Sequence, residues 1–172
     1  MFGLAAVVGV VLAGCSKNAG ISAEKVIVEE LQENIGLGTL DPECGQPEAY
    51  VAGETFTCTA ATEDGRVIEF FGEMSDADTF NIVTSNLLTA EDVDAVRAAA
   101  AEALGPEVGA TIDPAAIVCP YEIILLDETG DFTCEITDAS SGDVYALVVS
   151  TGGIEPGVGV RKLDFEITEQ LR

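Results

Sequence analysis

The residues of this sequence with the widest chemical scope are its five cysteines, Cys15, Cys44, Cys58, Cys119 and Cys134. A thiol can be acylated, oxidised in pairs or bound to a metal. Histidine is absent, which removes the commonest general base and with it the Ser–His and Cys–His pairs. The last four cysteines show no C-x-x-C spacing and have no histidine to complete a set, so the residues predict no metal site. An even number of cysteines in an exported chain points to disulfides instead, and four cysteines allow three pairings. Carboxylates are everywhere, 31 in all, so a pair assembled in space is expected by chance and indicates nothing. Asp76-x-Asp78 and Asp92-x-Asp94 do not continue into a calcium loop with its glycine and closing glutamate. No nucleophile elbow, phosphate loop or dinucleotide fingerprint occurs. Gly157-Val158-Gly159 reads as a turn or bulge. Tyr50, Tyr121 and Tyr145 offer contact surface and read first as packing residues. The expectation is a chain with no catalytic residues, no metal and no cofactor.

Cys15 stands apart from the other four. Phe2 to Ala13 is apolar or glycine throughout and uncharged. A membrane-spanning helix needs ~20 apolar residues, a signal h-region ~7–15, and this run fits the second. The segment Leu12-Ala13-Gly14-Cys15 resembles the lipobox of bacterial lipoprotein signal peptides, although no lysine or arginine precedes the apolar run. The resemblance implies cleavage before Cys15 and lipidation of Cys15 with a diacylglyceryl group. Two acyl chains would hold the protein stably at a membrane. Residues 1–14 are then the leader, 15–21 the lipidated residue and spacer, and the location is the outer face of the cytoplasmic membrane.

The charge is extreme: 31 acidic residues against 7 basic, a formal −24. It is evenly spread, with 14 acids against 3 bases in residues 16–87 and 17 against 4 in residues 88–172. Without a basic footprint, nucleic acid is excluded as a partner. Adsorption to anionic lipid is equally disfavoured, so anchoring falls to the lipid on Cys15.

The elements that would position these residues repeat. Cys44 to Cys119 is 75 residues and Cys58 to Cys134 is 76. Phe56-Thr57-Cys58 returns as Phe132-Thr133-Cys134, Asp41-Pro42 as Asp113-Pro114, and the turn Asp64-Gly65 as Ser141-Gly142. A tandem duplication therefore favours Cys44–Cys58 and Cys119–Cys134 as the bridges. Each copy opens with a helix. Ile27, Leu31 and Ile35 form one stripe after an N-cap at Ser22, and Gly36 ends it; Val93, Val96, Ala100 and Leu104 form the other after a Thr89/Asp92 capping box, and Gly105-Pro106 stops it. Strands follow with period two near residues 56–61, 66–74 and 79–85, and near 132–137, 144–150 and 158–165. Residues 123–126, and weakly 48–51, could add one more strand to each copy. The predicted fold class is α+β: two tandem units, each one helix packed on a three- to four-stranded antiparallel sheet with one disulfide. The units span 22–87 and 88–165, and 166–172 is a C-terminal tail.

The run of a helix, Val118-Cys119-Pro120, then Gly130-x-Phe132-x-Cys134 and a hairpin resembles a small cystine-containing domain of unknown function common in actinobacterial envelope lipoproteins. The first copy follows the pattern less closely, because Gly45 stands after Cys44 where proline is expected. The resemblance implies an envelope location and one cystine per domain, and no activity. In layout alone, the chain is similar to the β-lactamase inhibitory proteins. The functional expectation is a non-enzymatic, lipid-anchored envelope protein that binds a protein or cell-wall partner. The alternatives are an inhibitor or accessory subunit of an envelope enzyme, and a purely structural lipoprotein.

Overall fold

The computed structural model describes residues 10–13, 18–156 and 158–172. Cys15 and most of the expected leader lie outside these residues. The fold is mixed α+β with antiparallel sheets and two disulfides, Cys44–Cys58 and Cys119–Cys134. Its contacts divide between two compact units, cut between Asn86 and Leu87.

The unit before the cut contains β1 (Val10–Ala13), α1 (Ala19–Val26), a π turn (Ile27–Leu31), α2 (Gln32–Ile35), β2 (Leu40–Cys44), β3 (Thr55–Thr62), β4 (Val67–Met74) and β5 (Thr79–Thr84). The helical run starts earlier than Ser22. Asn18 is the N-cap, its Oδ1 accepting the Ile21 N–H at 3.2 Å, and an asparagine caps as well as a serine. Ala19 and Gly20, expected in a flexible spacer, are buried helix residues. The stripe Ile27, Leu31 and Ile35 is almost fully buried, and the run ends at Gly36 as its sequence implies.

The sheet order is β1-β5-β4-β3-β2, antiparallel throughout. Strict alternation buries Phe56, Cys58 and Ala60 on β3 and Ile68, Phe70 and Met74 on β4. No strand forms at residues 48–51. The extra strand is β2, which carries Pro42 and places Cys44 opposite Cys58. Proline hides a strand from pattern reading, but an edge strand tolerates it because one row of its donors is unpaired anyway. Phe56 packs edge-on against Phe80 with centroids 5.5 Å apart. Its ring also lies directly over Gly72, where an added Cβ would collide with it.

The second unit contains β6 (Leu87–Leu88), α3 (Ala90–Val108), β7 (Ile117–Val118), β8 (Ile124–Leu125), β9 (Asp131–Thr137), β10 (Val144–Ser150), β11 (Ile154–Glu155), β12 (Gly159–Val160) and β13 (Asp164–Gln170). The capping box is formed. The Asp92 carboxylate accepts the Thr89 N–H at 2.8 Å, and the Thr89 hydroxyl oxygen accepts the Asp92 N–H at 3.4 Å. Val93, Val96, Ala100 and Leu104 are buried in one cluster with Ile117, Cys134, Ile136, Leu147 and Val149.

The helix does not stop at Gly105-Pro106. Pro106 lies inside its last turn, and the stop is Gly109 at φ 68°. A proline this close to a helix end forfeits one hydrogen bond instead of breaking the run.

The main sheet runs β13-β10-β9-β7. Its last strand is not the expected 158–165. It is Asp164–Gln170, so residues read as a tail form an edge strand on β10. The expected strand at 123–126 exists only as β8, and it pairs with β6 outside the main sheet.

Gly72→Ala tests the packing of the first sheet. The added methyl must displace the Phe56 ring, and overpacking of this kind costs about 1–3 kcal/mol. Thermal melting should show that loss, whereas Gly72→Ala combined with Phe56→Leu should recover part of it.

Candidate functional site

The bridged cysteines sit in the sheets as structure. Cys58 and Cys134 are buried on β3 and β9, and each holds the strand or turn that precedes it in sequence against its own sheet. They leave no free thiol among the described residues. No group of three or more potential metal ligands occurs among those residues.

The surface of the second unit carries several concavities, of which two, of about 590 and 660 Å³, are lined largely by α3. A groove of about 560 Å³ lies between the segment after α3 and the β9–β10 hairpin. Ile112, Ile136, Tyr145 and Ile167 form its apolar wall, while Asp113 and Asp138 stand at its rim. Ile112, Tyr145 and Ile167 are partly buried side chains packed on the core cluster. Tyr145 on β10 is therefore brought to a groove, whereas Tyr121 is 65% exposed and the Tyr50 hydroxyl donates to Gln46 Oε1 at 2.9 Å. Sequence reading missed Ile112 and Ile167. The alternation of Phe165 and Ile167 with Asp164 and Glu166 was a strand signal lying across an assigned boundary.

The two rim acids are occupied by local structure. Asp113 Oδ1 accepts the Ala115 N–H at 2.9 Å. Asp138 Oδ1 accepts both the N–H and the hydroxyl of Ser140, each at 2.8 Å. The Ser140 N–H is the main cause holding the Asp138 carboxyl below its ordinary pKa, with the Ser140 hydroxyl next. A carboxylate held ionised in this way is a weak general base. The groove can therefore present an apolar wall with an acidic rim.

The same device recurs along the chain. Asp76 is lowered first by the Asp78 N–H, Asp127 by the Thr129 hydroxyl and Asp64 by the Thr62 hydroxyl. Asp76, the site of one D-x-D pair, accepts the N–H groups of Asp78 and Thr79 at 2.8 Å each. This is turn closure by a side chain that mimics the backbone.

The chain matches no family model, no curated protein and no solved structure. No described helix is long and apolar enough to cross a membrane.

The lowered carboxyls fix the sign of one pH effect. A group whose folded pKa lies below its unfolded value stabilises the fold above the unfolded pKa, and the contribution is lost as pH falls through the folded one. Melting temperature should therefore drop as the pH is lowered from about 4, the ordinary aspartate range. Asp127→Asn, which keeps the acceptor oxygen but cannot titrate, should flatten that acid limb; an unchanged limb would show that Asp127 contributes nothing to it.

Proposed function

We propose that the protein is a non-enzymatic, lipid-anchored extracytoplasmic envelope protein whose folded part binds a protein or cell-wall partner. The observation that carries the binding role is the groove beside Tyr145: a concave surface of ligand-binding size with an apolar wall. The anchor rests on Leu12-Ala13-Gly14-Cys15 and the uncharged apolar run before it. The membrane contact is then the lipid on Cys15, on the outer face of the cytoplasmic membrane.

The reading includes an origin by tandem duplication, with one helix and one cystine in each copy. Its support is the matched order of parts. In each unit a helix precedes a short edge strand, the edge strand meets a longer central strand, and a cystine links that pair or the turn beside it. The central strand, its hairpin partner and a last antiparallel strand then follow in both. The family resemblance of the second copy around Cys119 and Cys134 agrees with this origin.

Two measurements test the proposal. Cys15→Ser should yield an unprocessed chain that takes up no labelled fatty acid, and label retained by the variant would remove the lipobox. Affinity capture from envelope extracts, at a temperature well below the melting transition of both the native chain and the Ile112→Glu variant, should recover a stoichiometric partner that the variant no longer holds. A partner that proves to be a single enzyme, inhibited on binding, would turn the reading to an inhibitor.

A further inference from the structure

The edge strands of the two main sheets differ in how they are protected. An open edge presents unpaired N–H and C=O groups and invites another strand, so proteins block it with charge, proline or a covering element. On the first sheet, β2 is blocked twice over. It contains Pro42, and its outward donors are taken by the helical run: the Leu40 N–H by Gln32 Oε1 at 2.8 Å, the Cys44 N–H by Glu24 Oε1 at 3.0 Å. On the other main sheet, β13 carries Asp164, Glu166 and Glu169 along its seven residues.

The remaining edge of the first sheet is different. β5 reads Thr-Phe-Asn-Ile-Val-Thr. It has no charge and no proline, in a chain that carries −24. Its β-branched and aromatic residues favour pairing. Its outer side is covered by four residues of the expected leader, with Val10 opposite Ile82, Val11 opposite Asn81, Leu12 opposite Phe80 and Ala13 opposite Thr79.

We propose that β5 is a strand-addition site. Cleavage before Cys15 removes β1, and the bared edge then accepts an extended, uncharged apolar segment of another protein as a new antiparallel strand. The proposal rests on the lipoprotein reading, because only processing vacates the edge. The occupant is argued from what already sits there: Val-Val-Leu-Ala pairs in regular antiparallel register. A second copy of the chain is a poor occupant, since the leader is uncharged and each processed copy keeps the full −24, and like charges of that size repel. Main-chain bonds supply the affinity in this mode, so an apolar extended segment of another chain suffices.

The test uses the processed protein purified from detergent-solubilised membranes. The probe is a synthetic peptide of residues 9–14 with lysines added outside it for solubility, and the control is the same peptide N-methylated at alternate residues. Amide hydrogen exchange is read at Phe80 and Ile82, the residues of β5 whose N–H groups face away from β4 and towards β1. The expected result is slowing of about tenfold or more by the peptide and none by its N-methylated form, which lacks the donors for a ladder. Asn81→Glu and Thr79→Glu, which copy the charged edge of β13, should each abolish the slowing at unchanged melting temperature. Protection of these amides without peptide, or equal slowing by both peptides, would overturn the proposal. So would protection that appears only with a concentration-dependent dimer in the ultracentrifuge, because the occupant is then a second copy. The two readings fail separately. A purified chain whose mass still includes residues 1–14 overturns the anchor and leaves the edge closed, whereas a processed chain that ignores the peptide overturns the edge alone.

Discussion

The structure depends on the burial of two apolar helical stripes. Ile27, Leu31 and Ile35 are buried in one unit, and Val93, Val96 and Leu104 in the other. A fully buried aliphatic side chain of this size contributes ~1.5–3 kcal/mol, so each stripe supplies a large part of a small unit's net stability. The alternating strands exist to meet those stripes. β3 and β9 turn Cys58 and Cys134 inward on the same side as Phe56 and Ile136. Units this size bury little apolar surface. A cystine closing a loop of 14 or 15 residues therefore matters, at about 3 kcal/mol in the chain-entropy account.

The acidic excess serves structure at specific points. Asp64, Asp76, Asp127 and Asp138 close turns by accepting nearby N–H and hydroxyl groups. Asp92 completes a helix cap while itself buried. Glu24 and Gln32 satisfy an edge strand. These roles need acceptors at chain reversals and helix starts, which carboxylates supply well. They also account for close acid pairs such as Asp76-x-Asp78: the leading carboxylate closes its own turn.

Because the charge is spread, the few uncharged features of the surface stand out by contrast. The groove beside Tyr145 and the edge of β5 are both apolar or neutral in a chain dominated by acids. In the proposed reading both serve recognition, one through side-chain packing and one through the main chain.

The sequence by itself determined the local rules. Stripes at i, i+4 marked both helices, Thr89-x-x-Asp92 marked a cap, Asp64-Gly65 and Ser141-Gly142 marked hairpins, and the repeated Phe-Thr-Cys pointed to the pairing of the bridges. These signals depend on residues within one or two turns of each other, so they are legible in one dimension. Tertiary structure decided where pairing overrides the local signal. Pro42 argues against a strand, yet Leu40–Cys44 is one, because an edge needs donors on one side only and the helix satisfies the rest. Pro106 argues for a helix stop, yet the helix runs to Val108. Residues 166–172 lack a strong apolar run, yet Glu166–Gln170 belongs to β13, because β10 offers it an unpaired edge. The groove at Ile112 and Ile167 was invisible for the same reason: its wall comes from segments more than fifty residues apart, and only the closing of the sheet brings them side by side.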